Sequence, residues 1–134
     1  MLWDNIQYFK HSEWREDPKK ASPILVYAVD NARNICGVPI IIHVCWDDSG
    51  HSEKSYHYTG QAADLHFGPG LTPLQEFAAL SAQPEIGAIG YYPEWSPRPG
   101  WHVDVRNWSD GRLYWVQVNG VYYYGIDALK IIGV

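Results

Sequence analysis

Sulfur is scarce in this chain, with one methionine and two cysteines, Cys36 and Cys45, among 134 residues. Their spacing is not C-x-x-C, so neither a thioredoxin-type redox motif nor a zinc ribbon is supported. Free buried thiols are the expected state, with a Cys36–Cys45 disulfide as the alternative. Basic residues are also few: 10 Lys and Arg against 15 Asp and Glu leave a net charge of −5. That balance argues against a nucleic-acid backbone as the main partner. No apolar run approaches the length of a membrane span, and "MLWDNIQYFKHSEWRED" lacks a basic leader followed by an apolar stretch. Neither a span nor a secretory signal is therefore expected. Repeats, low-complexity tracts and linkers are missing too, and a single domain over 1–134 follows.

Aromatic residues are abundant instead. Seven Trp and ten Tyr in a chain that is 46% hydrophobic supply a core and leave rings to line a groove. Ser22-Pro23, followed by Ile24, Leu25, Ala28, Val29, Ala32 and Ile35, has an N-cap, a proline at the first helical position and helical spacing, with Gly37 as the stop. Thr72-Pro73 repeats the signal, with Leu74, Phe77, Ala78 and Leu80 as the apolar positions. "VPIIIHVCW" (38–46) reads as a buried strand, and "EIGAIGYYP" and "GWHVDVRNW" as two more. "RLYWVQV", Asn119-Gly120 and "VYYYG" read as a terminal hairpin at about 112–124, because Asn-Gly supplies the positive φ angles of a tight turn. The expected fold class is α+β, an antiparallel sheet with flanking helices.

The chemistry concentrates in "SYHYTGQAADLHF", residues 55–67. On a strand there, Ala62, Asp64 and His66 share one face while Ala63, Leu65 and Phe67 share the other. Catalytic zinc sites are built from three His, Asp or Glu ligands plus an open position. His57 and Asp64 supply two, and His102 of "GWHVDVR" supplies the third. Gly60 and Ala62 allow close backbone approach and leave room for metal and substrate. His66 is a competing ligand on the Asp64 face. His11, His43 and His51 read as structural or solvent-facing, with His43 alone near the site.

Ser55 to Asp64 fits S-x-H-x-x-G-x-A-x-D, and with the later H-x-D it resembles the zinc D-Ala-D-Ala carboxypeptidases and murein endopeptidases. The wider group includes D-Ala-D-Ala dipeptidases, L-alanyl-D-glutamate peptidases of phage lysins and the hedgehog signalling domain. "YFKHSEW" and "GAIGYYP" resemble further segments of that group, and the likeness covers about residues 8–106. It implies a hedgehog/DD-peptidase-like fold and one Zn2+ held by His57, Asp64 and His102. It also implies peptidase activity on peptidoglycan stem peptides or cross-links, of endopeptidase or D,D-carboxypeptidase type. With no leader visible, a lysin of this kind would reach the wall by a holin or by phage injection.

Two positions depart from the resemblance. The carboxylate that such peptidases carry three residues before the last histidine is Pro99 here, which leaves Asp104, on the His102 face, and Glu94 as candidate bases. The arginine that grips a substrate carboxylate is also missing, with Cys45-Trp46-Asp47 in its region. Arg98 and Lys54 are the candidate replacements, and Ser55, Tyr56, Tyr58, Trp95 and Trp101 the candidate substrate contacts. The same departures support an alternative, a catalytically inactive zinc-bearing binding or structural domain of the same fold. A metal-free aromatic carbohydrate binder is a third reading, which leaves the ligand set unexplained.

Overall fold

A computed structural model describes residues 3–134 as one α+β domain, a six-stranded sheet with three α-helices. Helix α1 runs Pro23–Cys36 and stops where Gly37 takes φ 73°. Ser22 is extended as an N-cap must be, but its hydroxyl makes no capping bond. Helix α2, Pro73–Ser81, has a full capping box: Thr72 Oγ1 accepts from the Gln75 amide and Gln75 Oε1 from the Thr72 amide. Such reciprocal bonds satisfy two of the amides that a helix start leaves unpaired. A third helix, α3 (Ile126–Ile132), follows the hairpin and buries Ala128 and Ile132. The sequence reading did not anticipate it, since seven residues are too few for a 3.6-residue period to stand out.

The strands are β1 (Ile40–Val44), β2 (Ala62–Phe67), β3 (Ala88–Tyr92), β4 (Gly100–Asp104), β5 (Leu113–Val118) and β6 (Val121–Tyr124). Their order across the sheet is β1-β2-β4-β3-β5-β6. Neighbours are antiparallel except β3 and β5, which run parallel. The sheet is therefore mixed, which corrects the antiparallel sheet expected from sequence. Both edges of β4 are occupied, by β2 and β3. The returning chain adds to the free edge of β3 and, running opposite to β4, runs with β3. At the hairpin turn Asn119 and Gly120 adopt φ 51° and 77°.

One sheet face is core. Ala63, Leu65 and Phe67 of β2, Ile89 and Tyr91 of β3, Trp101 and Val103 of β4 and Val116 of β5 pack with Leu25, Val29, Phe77 and Leu80 of the helices. The N-terminal segment joins them through Ile6, Phe9 and Trp14, and Asp30 of α1 accepts from the Gln7 and Tyr8 amides. Both cysteines are free. Burial is the main reason the Cys45 thiol is pushed up to about 12, so it stays a protonated packing group.

The other face carries one cross-strand row, in register from β2 to β6: Asp64, His102, Gly90, Trp115 and Tyr124. Gly90 lets the indole of Trp115 lie across β3 toward His102, with ring centroids 5.2 Å apart. A Cβ on Gly90 would stand 2.2 Å from Trp115 Cε2. Gly90→Ala is thus expected to displace the ring and lower stability by about 1–3 kcal/mol, the usual cost of overpacking. Urea melts and tryptophan fluorescence would register both changes, and a variant with wild-type midpoint and spectrum would contradict this close packing.

Candidate metal centre

His57 lies on a 3-10 helix, Tyr56–Thr59, that Ser55 starts by accepting the His57 amide on its hydroxyl. Gly60 ends this helix at φ 70°. A Cβ there would meet the Lys20 carbonyl oxygen at 1.8 Å. The close backbone approach expected at Gly60 is made by Lys20, but the space is filled by that backbone and not left for metal or substrate, which corrects that part of the sequence reading. Ala62 is buried in register with Asp104.

Asp64 and His102 face each other across β2 and β4, and the 3-10 helix brings His57 to the same point. Asp64 Oδ1 stands 3.3 Å from His57 Nε2 and 3.1 Å from His102 Nδ1. One ligand atom from each residue lies within 4.8 Å of the others. This triad is the group of metal-ligand type found among the described residues.

The outer partners of the two histidines test whether a cation fits. His57 Nδ1 is 2.7 Å from the Cys45 carbonyl oxygen, and His102 Nε2 is 2.8 Å from Asp104 Oδ2. Each imidazole thus faces an acceptor on both sides. A neutral ring can donate on one side only, so each would turn a lone pair toward Asp64. A cation at the Asp64 side removes that repulsion and leaves each ring donating outward, the usual arrangement of histidine ligands. Two nitrogens, one carboxylate oxygen and an open cleft suit a metal with a vacant position.

The charges follow from this crowding. Burial opposes the Asp64 carboxylate, but bonds from His102 and His57 hold it well below the usual carboxylate range. Burial likewise presses His102 down, and Asp104 and Asp64 more than reverse it, raising its pKa from 6.5 to about 9. A group whose folded pKa is raised adds stability that is fully present below its unfolded pKa and lost as pH rises through the folded one. Chelator-treated protein is therefore expected to melt at progressively lower temperature from pH 6.5 to about 9. Metal-loaded protein should lack this trend, because metal replaces the proton. Thermal melts across this range check it, and a flat metal-free profile would contradict the imidazolium.

Asp104 is fully buried. Its oxygens accept from the Arg106 amide, Nε and Nη2 as well as facing His102 Nε2. Burial raises its pKa, but Arg106 and His102 together keep it low. A carboxylate held on all sides cannot serve a water in the cleft, so Asp104 orients His102 and is not the base expected from sequence. Glu94 is corrected as well: it is exposed, accepts the Asn119 amide at 2.9 Å and fastens the 93–99 loop to the hairpin turn.

The triad forms one end of a cleft of about 640 Å³. Ser55, Tyr56, Lys54 and Trp95 line it. Trp101 does not: neighbouring His102 on β4, it points to the opposite face, where its indole donates to Glu76 at 2.9 Å and packs on Tyr91. Tyr58 turns to the His51 backbone, both accepting its amide and donating to its carbonyl. Arg98 donates to the Phe67 carbonyl and lies outside the cleft. His66 pairs with His43, 2.5 Å away, instead of competing for the triad. Neither of these two histidines lines the cleft.

His51, Arg106, Trp115, Tyr122 and Tyr124 do line it, and sequence reasoning assigned none of them to the site. The His51 ring stacks on His57 with centroids 4.3 Å apart, and its Nε2 is 3.1 Å from Asp47 Oδ2. The Asp47 carboxylate is held below its ordinary value first by that bond. The i, i+4 spacing of Asp47 and His51 in "DDSGH" was the available signal. Arg106 lies over the rings of Tyr56 and Trp115.

No family model, curated protein or solved structure matches the chain. Among the described residues no helix is long and apolar enough to cross a membrane.

Proposed function

We propose that the protein is a zinc-dependent peptidase of hedgehog/DD-peptidase-like fold that hydrolyses amide bonds in peptidoglycan stem peptides or cross-links. The observation that carries this reading is the meeting of the three motif residues, His57, Asp64 and His102, at one end of an open cleft, with donor atoms within 4.8 Å of one another. Bound there, zinc supplies a water acidified to a pKa of about 7 and polarises the amide carbonyl.

The surrounding side chains then divide the remaining work. Asp104 and the Cys45 carbonyl fix the two imidazole rings through their outer nitrogens. Asp47 accepts from His51 Nε2, which leaves His51 Nδ1 as a lone pair able to receive a proton and later return it to the leaving amine. Arg106 is already paired with Asp104, which leaves Lys54 to add positive charge to the cleft in place of the missing arginine and to favour an anionic peptide.

Among the described residues no carboxylate besides Asp64 lines the cleft, which favours a second reading, an inactive zinc-bearing domain of the same fold. Zinc-loaded protein incubated with cross-linked muropeptides, with and without chelator, separates the two when products are read by mass spectrometry. Chelator-sensitive cleavage is expected, lost in His51→Gln while zinc stays bound. Intact substrate beside fully loaded wild-type protein would overturn the peptidase reading.

A further inference from the structure

The cleft continues well beyond the triad. Its histidine, lysine, arginine and aspartate lining side chains come from residues 51–57, β2, β4 and Arg106, whereas β3, β5 and β6 contribute only uncharged ones: Tyr92, Leu113, Trp115, Tyr122 and Tyr124. Asp64 and Tyr124 lie at opposite ends of the cross-strand row, four strand steps apart. At about 4.8 Å per step this is about 19 Å. An extended peptide covers that distance in about five or six residues.

The far end is built and exposed at once. Tyr122 and Tyr124 are 46% and 57% exposed, and their rings lie 19° from parallel with centroids 6.2 Å apart. They project on the same side of the hairpin as Trp115. Behind them the wall is fixed: Trp115 Nε1 donates to the Tyr92 hydroxyl at 2.9 Å, and Tyr92 stacks on Trp95 at 4.2 Å. Flat apolar faces edged by phenolic hydroxyls match a pyranose ring, whose C–H face is apolar and whose rim carries hydroxyls. β5 and β6 bring no charge to the cleft lining, and the Arg106 guanidinium that lies over Trp115 is already paired with Asp104, so a sugar suits this end better than a charged side chain.

We propose that Tyr122 and Tyr124, backed by the buried Trp115, form a carbohydrate subsite that stacks on a sugar ring of the glycan bearing the stem peptide, while the peptide runs back along the cleft to the triad. The proposal rests on the peptidase reading for the identity of the attached peptide, but sugar binding itself needs no catalysis. The hairpin thus selects peptide still attached to glycan over free peptide.

Calorimetric titration of the zinc-loaded protein with three probes tests this: the peptide-free N-acetylglucosaminyl-N-acetylmuramic acid disaccharide, the sugar-free pentapeptide and the disaccharide-pentapeptide. The double variant Tyr122→Ala/Tyr124→Ala is expected to bind both sugar-bearing probes about tenfold more weakly, as loss of two stacking contacts implies. It should bind the free pentapeptide as wild type does. Tyr124→Phe, which keeps the ring, should retain sugar binding and guards against a folding defect in the double variant. No disaccharide binding by wild type, or equal binding by wild type and double variant, would overturn the subsite. Equal weakening of the free pentapeptide would overturn it in favour of a peptide side chain. Sugar binding lost in the double variant, beside muropeptides that wild type leaves uncut, would sustain the subsite and sink the peptidase reading.

Discussion

Asp64→Ala is expected to empty the metal centre. Asp64 Oδ1 faces both His57 Nε2 and His102 Nδ1, so its removal takes away one ligand and the charge that draws the other two together. Zinc affinity should fall by more than the about 10–100-fold that loss of an outer partner costs, and hydrolysis of muropeptides should fall below detection. Competition against a chromogenic chelator measures the first and product analysis the second. The fold should persist, because the Asp64 side chain stays partly open to solvent and the core lies on the other sheet face. Wild-type zinc affinity in this variant would refute the ligand assignment. His57→Ala and His102→Ala should behave alike, with His102→Ala additionally leaving buried Asp104 without one of its partners.

Asp104→Asn should produce the second large effect, and a different one. Asp104 is wholly buried, holds Arg106 through both carboxylate oxygens and faces His102 Nε2 at 2.8 Å. Breaking a buried pair from one side costs about 3 kcal/mol or more, so a clear drop in the urea midpoint is expected. An amide can present its NH2 to His102 and favour the wrong tautomer, which lowers zinc affinity by about 10–100-fold. A catalytic base would behave otherwise: zinc would stay bound at wild-type affinity while hydrolysis disappeared. Observation of that pattern would return Asp104 to the role suggested by sequence. Arg106→Lys separates the two functions of the pair, since lysine keeps the charge but not the two-pronged geometry.

The meeting of His57, Asp64 and His102 was legible because it rests on local rules. Asp64 and His102 each occupy a strand whose alternation is visible in the sequence, and the motif spacing joined them to His57. The same alternation, applied to Trp101, already opposes it to His102 and assigns it to the core; proximity in sequence to a ligand was misleading. Glu94 and Arg98 sit in the irregular segment between β3 and β4, where no period says which way a side chain points. His51 belongs to a polar loop, and its stacking on His57 depends on how that loop folds back, with Tyr58 bound to the His51 backbone and Asp47 to its ring.

Capping residues and turn chemistry act over a few residues, so the sequence by itself determined α1, α2, the Asn119-Gly120 hairpin and the inward and outward faces of β2. Strand order does not follow from such rules. It depends on which sheet edge the returning chain joins: with β4 enclosed by β2 and β3, the edges of β1 and β3 were open, and the chain continues beside β3. That tertiary choice made the sheet mixed and carried Trp115 and Tyr124 into the row that begins at Asp64. A hairpin outside every recognised motif thereby became the far wall of the cleft, because cross-strand neighbours are set by register and not by distance along the chain.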